Sequence, residues 1–128
     1  MKNVSIALAM VLASAAVGES LPVYTTVFKE LDGRSFAVQQ GSVDGKGDLR
    51  KFVQVIDLGT TSSSGVRSRR SLEEVDCPAS KTRTLEEAIY DSPMATGKVL
   101  REAKEVSDWS VETEGSPSAA IVKFVCAQ

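Results

Sequence analysis

The chain has no histidine in 128 residues. That removes Ser-His-Asp and Cys-His nucleophile pairs, and with them the commonest transition-metal ligand. Cysteine is scarce as well, with only Cys77 and Cys126 present. Beyond residues 4–17 there is no long uncharged apolar run, so no second candidate membrane span exists. Charge of either sign is not in excess. The formal net charge of −2 gives no general argument for binding nucleic acid or an anionic lipid surface.

What is there begins with Met1-Lys2-Asn3, followed by an uncharged run from Val4 to Val17 that ends in Ala13-Ser-Ala-Ala-Val-Gly18. A short basic start, an apolar middle and small-x-small exits at Ala-Ser-Ala and Ala-Val-Gly make residues 1–18 a secretory signal peptide, with 19–128 as one domain. The alternative is an uncleaved anchor, for which the run is shorter than the roughly 20 apolar residues a spanning helix needs. No cysteine lies near either cut, so the exported product is expected without a lipid anchor, in the periplasm or released to the surface or medium. Two thiols in an oxidising compartment are expected to pair as Cys77–Cys126.

Pro22–Phe28 is rich in β-branched and aromatic residues and reads as a strand, Leu31-Asp-Gly33 as a turn, and Ser35–Gln39 as a second strand. Gly41–Asp48, with three glycines, is a flexible connection. Leu49–Leu58 carries apolar residues at both parities and reads as a central strand covered on both sides. A Thr/Ser-rich loop from Gly59 to Gly65 leads to an antiparallel return over Val66–Cys77. Centring this hairpin on Ser62 predicts Asp57 opposite Arg67, Phe52 opposite Leu72, Lys51 opposite Glu73 and Arg50 opposite Glu74, bringing apolar residues and opposite charges together.

Thr82–Tyr90 and Lys98–Val106, separated by a break at Asp91–Gly97, stay open between helix and strand on pattern alone, because Leu85-Glu-Glu-Ala and Leu100-Arg-Glu-Ala-Lys-Glu are strong helix formers. Ser116-Pro117 is a helix start, Ser as N-cap and Pro at the first helical position. Ser118–Cys126 is apolar nearly all round apart from Lys123 and reads as a buried helix whose end Cys126 ties to Cys77.

The run Leu72-Glu-Glu-Val-Asp-Cys77, then Arg83-Thr-Leu, Tyr90-Asp-Ser-Pro-Met-Ala-Thr-Gly-Lys98, Ser107-Asp-Trp109, Gly115-Ser-Pro117 and Lys123-Phe-Val-Cys126 resembles the surface-adhesin protein E-like domain of bacterial envelope proteins. The resemblance covers most of residues 19–128 and is densest from Val66 onward. It implies a mainly β, α+β fold: a bent antiparallel sheet of about six strands with a disulfide-pinned C-terminal helix. It also implies that Thr82–Tyr90 and Lys98–Glu105 are strands, against their helical propensity. Tyr24 stands where relatives often carry Trp, and the lipid-attachment cysteine of well-known members is missing.

Candidate chemistry is thin. Glu73-Glu74 and Glu86-Glu87 are adjacent carboxylates, which on strands point to opposite faces and form no acid–base couple; solvation or charge pairing is their expected role. Gly41–Gly47 lacks the Lys-Ser/Thr and helix start of a phosphate loop. Arg67, Arg69 and Arg70, with Lys51 nearby in the predicted register, form the candidate partner-binding patch, against the plainer role of pairing with Asp57 across the hairpin. Ser62–Ser64 reads as the loop at the hairpin tip. Trp109 reads as a plug between the last strand and the helix rather than an exposed anchor. No cofactor, metal or catalytic residue is indicated, and a hydrolase working without histidine has little support. The expected function is an exported, non-enzymatic binding domain with a host extracellular or envelope protein as partner; the alternative is a soluble periplasmic protein with a structural or regulatory role. The resemblance allows a dimer without fixing the oligomeric state.

Overall fold

The computed structural model describes residues 21–128, so the signal-peptide reading of residues 1–18 lies outside the described residues. From Tyr24 the chain runs as an antiparallel meander: β1 (Tyr24–Lys29), β2 (Ser35–Gln39), β3 (Leu49–Asp57), β4 (Ser68–Asp76), β5 (Lys81–Ser92) and β6 (Thr96–Ala103). Each strand pairs with the next. A short β7 (Ser110–Val111) pairs with the start of β5, and α1 (Pro117–Cys126) follows. Short connections between neighbours make the meander the simplest route for a chain whose strands are separated by turn residues. The two segments that pattern left open, Thr82–Tyr90 and Lys98–Glu105, lie mainly in β5 and β6: sheet pairing along β4 and β5 outweighs the weak helical preference of Leu-Glu-Glu-Ala.

Ladder irregularities between Thr26 and Phe28, Leu72 and Glu73, and along β5–β6 interrupt the pairing and bend the strands that carry them. The β5–β6 hairpin folds back, so that its turn touches β3 and β4. Met94 N–H donates to Asp57 Oδ2 at 2.9 Å and Ala95 N–H to Ser68 Oγ at 2.8 Å. Met94 and Ala95 both take left-handed backbone (φ 52° and 58°), a conformation that costs roughly 1–2 kcal/mol per non-glycine residue and that these two hydrogen bonds help hold. Gly97 closes the turn at φ 78°, where a Cβ would collide with the Asp91 and Ser92 side chains.

The core lies between the sheet and the helix. Phe36, Val38, Phe52 and Val75 pack against Ile121, Val122 and Val125. Side chains directly opposite in an antiparallel ladder share a face, so the face bearing Phe52 also carries Arg50, Gln54 and Ile56 of β3 and Arg69, Ser71, Glu73 and Val75 of β4. The helix begins as the sequence indicates: Ser116 Oγ accepts from Ala119 N–H at 3.1 Å, and Pro117 is the first helical residue. It buries one side, Ala119, Ile121, Val122 and Val125, while Lys123 is exposed. Its far end is fixed twice, by the Cys77–Cys126 disulfide (Cα–Cα 5.9 Å) and by Arg50, whose Nη1 donates to Val125 O and Gln128 O at 3.1 and 2.6 Å. A cation at the last turn suits the exposed carbonyls there.

Two expectations are corrected. The β3–β4 register is one residue away from the predicted one: Asp57 lies opposite Ser68, Phe52 opposite Glu73, Lys51 opposite Glu74, Arg50 opposite Val75 and Val53 opposite Leu72. The loop is asymmetric. Ser62 and Val66 close a tight turn (Ser62 N–H to Val66 O 2.8 Å, Gly65 N–H to Ser62 O 2.9 Å) next to the Leu58–Arg67 pair, which leaves Gly59–Thr61 as extra length on one arm only. A symmetric centring on Ser62 misses that extra length, and Phe52 and Leu72 consequently point to opposite faces. Trp109 is no plug under the helix. It is 37% exposed and lies against Arg83, whose guanidinium carbon is 4.5 Å from the ring centroid. The core space between sheet and helix is filled by Phe52, Val38 and the helix's own Ile121 and Val125.

Candidate functional site

The four sequence candidates are spread over both faces of the sheet. Arg67, at the foot of β4, donates from Nε to Asp57 Oδ1 at 2.9 Å, so the ion pair expected across the hairpin forms even though the two residues are not directly opposite. Arg69 turns to the helix face, where it meets Glu87 at 2.6 Å and comes within 4.0 Å of Glu73. Arg70, the next residue, turns to the opposite, helix-free face, and its Nη2 donates to Gln39 Oε1 at 3.3 Å. Lys51 is exposed and belongs to the helix-free face as well, opposite Glu74. Arg70 and Lys51 therefore share a surface from which strand alternation excludes Arg69.

Both carboxylate pairs are split in the same way. Glu73 faces the helix side and accepts from Thr84 Oγ1 at 2.8 Å, whereas Glu74 faces away and is held by Arg83 at 2.7 Å. Glu87 receives Arg69 and Arg101, and Glu86 lies 3.6 Å from Lys104. Neither adjacent pair forms a shared acid–base couple, and among the described residues no group of three or more acidic, Cys or His side chains is arranged to hold a metal ion.

Two buried carboxylates differ in electrostatic character. Burial pushes the Asp57 carboxyl up, but hydrogen bonds from Gly59 N–H, Arg67 and Met94 N–H, together with the Arg67 charge, outweigh it and hold the group below its usual range. Burial dominates at Glu73. Thr84, Ser71 and Arg69 do not offset it, so this carboxyl is pushed above its usual range. Both act on the fold: Asp57 ties the β3–β4 loop to the β5–β6 turn, and Glu73 ties β4 to the Thr84 end of β5.

The helix-free face carries the features of a contact surface. Trp109 stacks with Arg83, and Arg83 stands opposite Glu74, itself opposite Lys51. One row further along, Leu49 and Val111 are 53% and 66% exposed and flank Asp76 and Lys81. In the other direction lies an open cavity of about 300 Å³, lined by Arg70, Leu72, Glu86, Ala88, Tyr90 and Lys104 among others. Exposed Trp, Tyr and Arg are the residue types most enriched at binding hot spots. Sequence reasoning found Arg70 and Lys51 but missed Arg83 and Trp109. No sequence pattern marks this pair: β7, whose pairing with Lys81 and Thr82 brings Trp109 beside Arg83, is only two residues long.

Comparison with known proteins agrees with this architecture. A family model described as surface-adhesin protein E matches residues 24–127. A crystal form of Haemophilus influenzae protein E superposes with a TM-score of 0.66 at 14% identity, covering 85% of this chain and 91% of that one. Protein E from non-typeable Haemophilus influenzae superposes with a TM-score of 0.61 at 14% identity, covering 86% and 79%. At such identity the likeness to these structures is one of fold. No curated protein matches the sequence. With the family match extending from the first strand to the residue after the helix, the chain belongs to the surface-adhesin protein E family.

Proposed function

We propose that this chain is an exported, non-enzymatic binding domain that docks a protein partner on the helix-free face of its sheet. The observation that carries the reading is the asymmetry of that sheet. The helix covers the face of Phe52 and Val75, while the other face presents Trp109 on Arg83 together with Lys51, Arg70 and exposed Leu49 and Val111. Aromatic and arginine anchors beside apolar side chains and a rim of both charge signs are the composition of a protein-binding patch. Export fits the N-terminal signal pattern and the single disulfide. No helix among the described residues is long and apolar enough to cross a membrane. Membership in an adhesin family favours a partner met at the cell surface, such as a host extracellular protein.

The test is fractionation of expressing cells into periplasm, outer membrane and medium, followed by capture of purified matrix proteins on the exported protein. Surface or medium localisation, with capture weakened tenfold or more by Trp109→Ala and Arg83→Ala and unaffected by Lys123→Ala on the helix, is the expected result. Protein confined to the periplasm would overturn the host-partner reading in favour of an envelope role.

A further inference from the structure

The chain has seven arginines, and six are engaged by acidic side chains or by carbonyl groups. Arg67, Arg69, Arg83 and Arg101 each have a carboxylate within 3.3 Å, and Arg34 lies 4.0 Å from Glu30. Arg50 donates to four backbone carbonyls, Val125 and Gln128 at the helix end and Lys46 and Gly47 in the loop before β3. Arg70 differs. It is half-buried, and among the described residues its guanidinium has one protein partner, the neutral Gln39 Oε1 at 3.3 Å. Taking a guanidinium partly out of water is unfavourable unless an anion offsets the loss, and this one lies directly opposite the fully buried Val55, with Ala88 on its other side. Among the described residues no buried side-chain nitrogen or oxygen lacks a partner. The remaining Arg70 donors therefore open to solvent, into the cavity lined by Leu72, Ala88 and Tyr90.

From this geometry we infer that the Arg70 cavity is the docking pocket for the carboxylate of an Asp or Glu side chain, next to an apolar residue, on a partner protein. The inference rests on the helix-free face being the binding face. A guanidinium fork presents parallel N–H donors that match a carboxylate in two bonds. Leu72, Ala88 and Tyr90 supply the apolar wall against which the neighbouring side chain packs. The rim decides between anions. Three carboxylates line the cavity: Glu87, neutralised by Arg69 and Arg101, Glu86, held by Lys104 at 3.6 Å, and exposed Glu102. Glu102, unpaired among the described residues, repels a phosphate dianion more strongly than a carboxylate monoanion. Tyr90 and Arg70 on adjacent strands fix the cavity on sheet backbone rather than on a loop.

The experiment is an NMR titration of the isotope-labelled mature protein with the blocked peptides Ac-Glu-Leu-NH2, Ac-Gln-Leu-NH2 and Ac-phosphoSer-Leu-NH2. The expected result is saturable shifts of the Arg70 Nε–Hε signal and the Leu72 and Ala88 methyls with the glutamate peptide, and binding weaker by about tenfold with the glutamine peptide. Arg70→Gln should abolish the response and Arg70→Lys reduce it several-fold. Gln39→Ala, which leaves the guanidinium intact and removes its neutral partner, should preserve or strengthen it. Equal response to the glutamine peptide, or tighter binding of the phosphoserine peptide, would overturn the assignment. Absent peptide shifts alongside intact protein capture overturn the pocket and leave the binding face standing. Peptide shifts at Arg70 alongside no capture of any surface protein support the pocket and count against the adhesin reading.

Discussion

Glu73 and Asp57 are both nearly buried carboxylates, 6% and 5% exposed, on adjacent strands of one sheet. Glu73 lies on the helix face, opposite Phe52 and with Thr84 as its nearest donor, and burial pushes its carboxyl up. Asp57 lies on the other face, at a seam where a loop, a turn and Arg67 converge, and its carboxyl is held down. Arg69 and Arg70 repeat the contrast between neighbouring residues: the first is locked to Glu87 on the helix side, the second opens into a cavity. On the helix face, packing against α1 and the Arg69–Glu87 and Glu73–Thr84 contacts satisfy the side chains within the fold. The opposite face leaves Arg70 donors and the Trp109 ring partly open. In the proposed function, the binding surface is set by which face the helix does not cover.

The comparison can be broken most forcefully by releasing the helix. Cys77→Ser removes a crosslink spanning 49 residues, worth about 4 kcal/mol in the chain-entropy model, and should lower the melting temperature by on the order of 20 °C; an unchanged melt in the absence of reductant would show the helix to be held by packing and the Arg50 bonds without the crosslink. Next in size, Asp57→Ala removes the acceptor of Gly59, Arg67 and Met94 and should cost about 2–3 kcal/mol. It should also change the acid limb. The Asp57 contribution is present above the unfolded carboxyl value and is lost as pH falls through the lower folded value, so the deficit of the variant should shrink in acid, as urea melts across the range would record.

Glu73→Gln sharpens the contrast with the reverse sign. A carboxyl whose folded pKa is raised contributes stability below its unfolded value, and that contribution is lost as pH rises through the folded one. The variant should therefore gain on the wild type as pH rises above the ordinary carboxyl range of about 4, and a difference that stays constant with pH would refute the burial argument. Smaller still, Trp109→Ala should cost roughly 0.5–1 kcal/mol through the lost stack on Arg83, measurable by denaturant melts. Arg70→Ala should change stability least, within about 0.5 kcal/mol, since its one side-chain bond is to a neutral amide; a large loss of stability would make it a structural residue and remove the distinction between the faces.

Much of this was legible in local chemistry. Ser35–Gln39 is a strand with the same bounds in sequence and structure, and Ser116-Pro117 starts the helix by capping physics that operates within one turn. The β5 and β6 segments were not legible from pattern, because their residues favour helix locally and only pairing with β4 and with each other decides otherwise. The β3–β4 register escaped by one residue because it depends on the off-centre turn at Ser62–Gly65. Trp109 escaped because its partner, Arg83, is reached through β7, a strand of two residues.

By itself the sequence determined the absence of histidine chemistry, the two thiols available for one crosslink, the alternation that sends Arg69 and Arg70 to opposite sides, and the capped helix at the end. These are properties of composition or of the two-residue strand period, and they do not depend on distant partners. The tertiary structure alone decided which of those sides the helix covers. It thereby decided which arginine finds a carboxylate inside the fold and which faces an open cavity, because packing, register and burial arise only when segments far apart in the chain meet.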